Sequence, residues 1–126
     1  MNEARANRIL AALKEQGVDQ MLITDPMSIC YLTGISMAPI ERFYALLLKH
    51  HYYFLNHLFN VPGDVGVEKV WYSDTDPVPE IVAARLDKNA VLGVDKDLKA
   101  RFLLPLMEMK AAAGFVNGSL AVDITR

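Results

Sequence analysis

Residues 43–55 read FYALLLKHHYYFL, and this stretch decides the kind of sheet that the chain builds. Residues 43–48 are almost continuously apolar, which is typical of a strand that is covered on both faces, and a second apolar run follows at residues 52–55. Only the polar residues 49–51 separate the two runs. The stretch therefore predicts an antiparallel hairpin within a larger sheet.

The chain before the hairpin predicts two helices and one strand. Apolar residues recur at helical spacing in a first helix that is capped by Asn2 and ends at Gly17. Residues 21–24 form a short apolar run, which predicts a strand. Asp25 then precedes a proline, so it is expected to cap a short helix over residues 26–32.

The chain after the hairpin alternates strands with helices. Strands are predicted at residues 67–72, 91–94 and 113–117, and residues 73–77 carry a helix-start signal. The helix before the last strand contains Pro105, which predicts a kink or an early end. Such alternation indicates parallel crossovers, whereas the hairpin is antiparallel. We therefore predict an α/β fold of three layers, with a mixed sheet of about five or six strands flanked by helices.

One contiguous core is expected, because the chain is a single domain of 126 residues with 52% hydrophobic residues. Its predicted members are large apolar residues from the helical stripes and the strands: Ile9, Leu10, Leu13, Leu22, Leu46, Leu48, Val82, Leu92 and Val94.

Composition argues against several classes of protein. The net charge is −2 and no run of lysine or arginine occurs, which argues against a nucleic-acid partner. Cys30 is the single cysteine, so an internal disulfide is excluded. No apolar run approaches the roughly 18 residues that a membrane span needs, and the first helix is charged, unlike a signal peptide. We expect a cytoplasmic protein without a membrane partner.

The turn formed by Tyr31, Leu32, Thr33 and Gly34 leads into an unusual loop. Gly34 is suited to the left-handed conformation that ends a helix. The loop that follows, residues 35–40, is apolar without a helical or strand period. Apolar loop residues usually need cover, either from their own domain or from a partner.

Histidines and aspartates are the first candidates for chemistry. His50, His51 and His57 are possible metal ligands, but adjacent histidines on a strand point to opposite faces, and a polar hairpin turn is the preferred interpretation of the first two. Three aspartates, Asp25, Asp76 and Asp95, follow predicted strands, where carboxylates of α/β enzymes often gather. Each also precedes a helix, so capping is the preferred interpretation.

Glu41-Arg42 is the polar pair with the clearest functional interest. It stands between the apolar loop and a buried strand, where the guanidinium can present a planar fork to a carboxylate. An equally weighted alternative is a local ion pair that fixes the loop.

Together these features resemble the N-terminal domain of the creatinase/prolidase family, which includes Xaa-Pro dipeptidases and aminopeptidases P. The resemblance covers the whole chain and rests on the order and spacing of several short segments. They are VDQMLITDP (18–26), YLTG (31–34), Glu41-Arg42, VWYSDTDP (70–77), LGVD (92–95) and DITR (123–126).

This resemblance implies a ribonuclease H-like domain without catalytic or metal-binding residues of its own. Catalysis would belong to a pita-bread domain following residue 126, where carboxylates and a histidine hold a pair of Mn, Zn or Co ions. The last residues, 124–126, resemble the start of the helix that leads into that domain. We therefore expect the chain to be a fragment that ends at a domain boundary, with no cofactor of its own.

The family's N-terminal domain contributes dimer contacts and a lid over the active site, often that of the partner subunit. The resemblance makes Ile40, Glu41 and Arg42 the candidate lid residues. Many bacterial relatives carry an acidic residue and a histidine in this loop, at the positions that Ala38 and Ile40 occupy here.

The leading hypothesis is thus a non-catalytic lid and dimerisation domain of a cytoplasmic Xaa-Pro dipeptidase. Its partners would be the catalytic domain of its own chain, a second subunit and a dipeptide substrate. The alternative is a free-standing α/β module that binds a peptide or a metabolite and has no peptidase activity.

Overall fold

The computed structural model describes residues 1–125. Helices and strands alternate through most of this chain. The elements are α1 (Glu3–Lys14), β1 (Gln20–Ile23), α2 (Pro26–Thr33), β2 (Ala45–Leu48), β3 (Tyr52–Asn56), β4 (Glu68–Tyr72), α3 (Val78–Ala83), β5 (Val91–Val94), α4 (Ala100–Glu108), β6 (Gly114–Asn117) and α5 (Ser119–Thr125). None of the helices in these 125 residues is long and apolar enough to cross a membrane.

Within residues 1–125, six strands form one mixed sheet in the order β4-β3-β2-β1-β5-β6. The predicted hairpin is confirmed, because β2 pairs antiparallel with β3 and Ala45 lies opposite Phe54. β2 is also antiparallel to β1, whereas the β1/β5, β3/β4 and β5/β6 pairs are parallel. The α/β class and the mixed sheet therefore match the prediction.

Every strand except β2 runs in the same direction, so β1, β3, β4, β5 and β6 all end at one edge of the sheet. We call this the carboxyl edge. Residues that directly follow those strands, and residues that precede β2, meet there. In open α/β sheets this is the edge at which ligands usually bind.

The core is divided by the sheet into two clusters, so the prediction of one contiguous cluster is wrong. Leu46 lies in the cluster beneath α1, α2 and α5, whereas the adjacent Leu47 lies in the cluster beneath α3 and α4. Successive side chains of a strand point to opposite faces, which explains the division. Most of the predicted core residues are buried, but Leu10 and Val94 are only partly buried and pack against the margins of the two clusters.

Local signals placed three helix ends correctly, whereas α1 ends at Lys14 rather than at the predicted Gly17. The Asn2 side chain accepts a hydrogen bond of 3.0 Å from the backbone N–H of Arg5, and Asp25 accepts one of 3.3 Å from Met27 N–H. Gly34 ends α2 with a φ of 78°, in the left-handed region that favours glycine.

Two predicted caps are wrong, and of the two outcomes predicted at Pro105, a kink or an early end, the early end does not occur. The residues at the cap positions of α3 and α4 are Pro77 and Lys99, and neither makes a side-chain cap bond. Asp76 instead accepts a 2.8 Å bond from Ser73 N–H. Pro105 does not end α4 early, because its own carbonyl accepts from Met109 N–H at 3.0 Å and the helix reaches Glu108.

Candidate functional site

The turn at residues 31–34 directs the chain toward the carboxyl edge. Thr33 Oγ1 donates to the carbonyl of Ile29 at 2.8 Å and accepts from Ile35 N–H at 3.1 Å, which joins the helix to the loop. Tyr31 faces away from the loop, because its hydroxyl donates to the carbonyl of Thr125 at 3.0 Å and Arg5 lies 4.2 Å above its ring. In this structure Tyr31 and Thr33 therefore fix the ends of neighbouring elements.

The apolar loop that follows is only partly covered. Ile35 and Met37 pack against the core, whereas Ile40 is 83% exposed. Ile40 also has a φ of 59°, a conformation that is rare for a β-branched residue and implies strain. The loop thus presents a strained, exposed apolar side chain at the carboxyl edge.

Two side chains from the start of α4 hold this part of the loop. Lys99 Nζ donates to the carbonyl of Ile40 at 3.1 Å, and Arg101 donates to the carbonyl of Glu41. Both contacts use backbone carbonyls. They fix the path of the loop without using the Glu41 carboxylate.

Arg42 forms the most specific polar contact of the loop. Its Nε and Nη2 atoms each donate to the carboxylate of Asp74 at 3.1 Å, and Asn56 Nδ2 donates to the same carboxylate at 2.7 Å. These hydrogen bonds lower the pKa of Asp74 and raise that of Arg42. The Arg42 and Asp74 side chains are 44% and 54% exposed. The predicted alternative of a local ion pair is therefore wrong in its partner, because Arg42 pairs with Asp74, 32 positions later in the sequence.

Phe43 anchors the loop to the sheet beside Arg42. Its ring contacts those of Phe54, Tyr72 and Phe102, with centroid distances of 5.9, 6.4 and 5.0 Å. The Tyr72 hydroxyl also donates to the Phe43 carbonyl. Burial raises the pKa of Tyr72 to about 12.

Open cavities lie on both sides of Arg42 and Phe43. One, of about 470 Å³, is bounded by α3, by Asp74 and by Arg101. The other, of about 340 Å³, is bounded by the residues after β1 and β5, and Lys99 and Ile40 form part of its wall. The loop residues predicted from sequence therefore lie between two concave surfaces.

Asp95 joins the ends of two neighbouring parallel strands. Its Oδ2 atom accepts from the backbone N–H groups of Thr24 and Asp25, both at 2.8 Å, and its Oδ1 atom accepts from the Thr24 hydroxyl. The preferred interpretation of Asp95 as a helix cap is therefore wrong. Its carboxylate is used to satisfy buried backbone donors after β1.

The histidine turn is confirmed, since His50 and His51 lie between β2 and β3. His51 Nε2 lies 3.3 Å from the Glu3 carboxylate. Within residues 1–125, no three His, Cys, Asp or Glu side chains are arranged to hold a metal ion.

Sequence reasoning missed the residues that hold the loop, namely Asn56, Asp74, Lys99 and Arg101. A signal for two of them existed, because Asn56 ends β3 and Asp74 stands two residues beyond β4, both at the carboxyl edge. No comparable signal marked Lys99 or Arg101, which lie at the start of α4 and meet the loop about 60 residues away in sequence.

Comparisons with known proteins agree with this architecture. Residues 5–126 match the family model of the creatinase/prolidase N-terminal domain. No curated protein sequence matches the chain.

Solved structures of similar fold include two that are about the size of this chain. One is described as a proline dipeptidase from Streptococcus pneumoniae, with 22% identity and a TM-score of 0.79 over 100% of this chain and 98% of the other. Another is the creatinase/prolidase N-terminal domain of an X-Pro dipeptidase from Streptococcus pyogenes, with 23% identity, a TM-score of 0.72, and coverage of 90% and 98%.

A third similar structure is much longer. The dipeptidase from Mycobacterium ulcerans shares 24% identity and a TM-score of 0.78 over 98% of this chain, which spans 36% of the dipeptidase. At these identities the structural matches show the fold, and the family model covers nearly the whole sequence. The chain therefore belongs to the family of creatinase/prolidase N-terminal domains.

Proposed function

We propose that this chain is the non-catalytic N-terminal domain of an Xaa-Pro dipeptidase, which hydrolyses dipeptides with a C-terminal proline. The main support is the agreement of fold with N-terminal domains of such peptidases over nearly the whole chain. The matched region is about a third of the longer dipeptidase, which leaves room there for a separate catalytic domain.

In this proposal the metal chemistry belongs to the catalytic domain. A pair of Mn, Zn or Co ions would polarise the substrate carbonyl and activate water. The described residues do not fit such a pair, because no three suitable side chains converge and the carboxylates of Asp74 and Asp95 are already used by protein donors. In this proposal no metal-dependent step involves the described residues.

Ile40, Glu41 and Arg42 would act as the lid over the active site. Arg42 carries five N–H donors in a rigid fork, and Asp74 uses two of the donor atoms. The pair is exposed, so a substrate carboxylate can replace Asp74 without the cost of uncovering a buried charge. We propose that Asp74 holds the fork in position until the carboxylate of the dipeptide takes its place.

A candidate surface for the catalytic domain of the same protein lies on the last three elements of the sequence. Among the described residues of α4, β6 and α5, five large apolar side chains are 41–68% exposed. They are Leu104, Met107, Val116, Leu120 and Ile124. Exposed apolar surface of this kind can mark contacts between domains or subunits. We assign this one to the catalytic domain, and we propose a homodimer and a cytoplasmic location for the complete protein.

The proposal is tested with two samples, the 126-residue chain and the protein encoded by the complete reading frame. The short chain should not hydrolyse Ala-Pro with added Mn²⁺, whereas the longer protein should. Metal-dependent turnover that stays at constant specific activity when the short chain is repurified would refute the division of roles.

The cavities at the carboxyl edge favour one other function, a free-standing module that binds a peptide or metabolite. The downstream reading frame separates the two. A continuing frame with a set of metal ligands supports the peptidase domain, and a stop codon after Arg126 supports the free-standing module.

A further inference from the structure

A crevice opens at the carboxyl edge between β1 and β5. These strands are parallel neighbours, but the chain leaves them toward opposite faces of the sheet. After β1 it enters α2, whose Ile29 packs in one core cluster, and after β5 it enters α4, whose Leu106 packs in the other. Divergence of this kind creates a crevice where open α/β sheets bind ligands.

The cavity of about 340 Å³ occupies this crevice. Its walls include Thr24 and Pro26 after β1, and Leu98 and Phe102 on the side of β5 and α4. Ligand pockets generally begin at about 300 Å³ and are mainly apolar with a few polar groups. The space therefore suits a small molecule with an apolar body.

Charges of both signs line the same cavity. Arg42 and Lys99 provide cations, and each retains N–H donors beyond those used by Asp74 and by the Ile40 carbonyl. Asp97 provides the acidic group. Burial and the nearby carboxylates of Asp25 and Asp95 raise the pKa of Asp97, so a cation placed beside it would relieve repulsion among these acids.

We propose that this cavity binds a free apolar α-amino acid of about the size of leucine. The ligand carboxylate contacts Lys99 and Arg42, its ammonium contacts Asp97, and its side chain packs against Leu98 and Phe102. A ligand with a carboxylate but no ammonium would provide no cation for Asp97. A ligand with an amine but no carboxylate would provide no anion for Lys99 and Arg42. This inference does not rest on the proposed peptidase function.

The test is an NMR titration of the ¹⁵N-labelled 126-residue chain with three probes. They are L-leucine, 4-methylpentanoate, which lacks the ammonium, and 3-methylbutylamine, which lacks the carboxylate. For so small a ligand a dissociation constant of about 1 mM is expected. Leucine should shift the amide signals of Thr24, Leu98 and Lys99 in a saturable way, and each of the other probes should bind about ten-fold more weakly.

Two lysine variants separate this site from general charge effects. Lys99→Met should weaken leucine binding about ten-fold, a change of about 1.4 kcal/mol. Lys88→Met removes an exposed cation that precedes β5 and lies outside this cavity, and it should leave binding within about two-fold. Absence of saturable shifts with leucine, equal binding of all three probes, or equal effects of the two variants would overturn the proposal.

Discussion

Asp74 holds Arg42 with two hydrogen bonds of 3.1 Å, although the two residues are 32 positions apart in the sequence. Asn56 adds a third bond to the same carboxylate. The contact connects the loop before β2 to the connection after β4, so it fixes the position of a predicted lid residue at the carboxyl edge. Because both side chains are about half exposed, the same guanidinium remains accessible to a ligand.

Leu46→Ala tests the sheet assignment. Leu46 is fully buried on the central strand β2, so loss of its side chain should lower the free energy of unfolding by about 2–5 kcal/mol. The measurement is urea denaturation of the 126-residue chain. Leu120→Ala removes a side chain that is 63% exposed and should have a much smaller effect. Equal midpoints for wild type and Leu46→Ala, at constant m-value, would contradict the assignment of β2.

Asp95→Ala tests the connection between β1 and β5. The change removes the acceptor for two backbone N–H groups, those of Thr24 and Asp25, so unfolding should become easier by roughly 2–4 kcal/mol. Asp19→Ala, at an exposed position before β1, is the matched control and should stay within about 0.5 kcal/mol of wild type. Similar losses in the two variants would mean that this connection does not stabilise the fold.

Tyr72→Phe tests the effect of burial on a tyrosine that contacts the loop. The pKa of Tyr72 is raised from 10.0 to about 12, so the folded state retains its proton when the unfolded state has lost it. The stabilisation that comes from this raised pKa is fully present below pH 10 and is lost as the pH rises toward 12. The total loss in the free energy of unfolding is roughly 2–3 kcal/mol. The Tyr72→Phe variant lacks the hydroxyl, so this ionisation does not contribute to its stability.

The measurement is the difference in unfolding free energy between wild type and Tyr72→Phe at several pH values from 8 to just below 12. Below pH 10 the wild type should be more stable by about 1 kcal/mol, because its hydroxyl donates to the Phe43 carbonyl. That advantage should shrink above pH 10 and reverse as the pH approaches 12, because the loss of roughly 2–3 kcal/mol exceeds it. A constant difference would show that the hydroxyl ionises equally in both states.

Ile40→Asn tests the strain in the candidate lid. Ile40 has a φ of 59° and is 83% exposed, so its replacement loses little packing and places a residue that tolerates this conformation. The free energy of unfolding should rise by about 1 kcal/mol. Ser36→Asn, an exposed position of the same loop without a positive φ, should not stabilise the chain. Destabilisation by Ile40→Asn would show that the Ile40 side chain contributes contacts rather than strain.

Prediction from sequence succeeded where structure depends on neighbouring residues. The caps at Asn2 and Asp25 and the turn at Gly34 follow from side chains and backbone within one helical turn, and each is present. The apolar runs likewise identified the hairpin and the mixed sheet.

Prediction failed where a residue acts at a distance. Asp95 follows a strand and precedes a helix, which is the local pattern of a cap, but it bonds to Thr24, 71 positions earlier. Asp74 similarly stands within a helix-start signal and bonds to Arg42. The local sequence cannot distinguish a carboxylate that caps its own helix from one that is recruited by another strand.

The most direct test of the proposed lid combines two measurements on Arg42→Ala. In the proposed full-length dipeptidase, kcat/KM for Ala-Pro should fall about ten-fold or more, because the substrate carboxylate would lose its proposed partner. In the 126-residue chain the urea midpoint should remain nearly unchanged, because the ion pair with Asp74 is exposed. A large loss of stability with unchanged kinetics would contradict the account and make the Arg42–Asp74 pair a structural clamp.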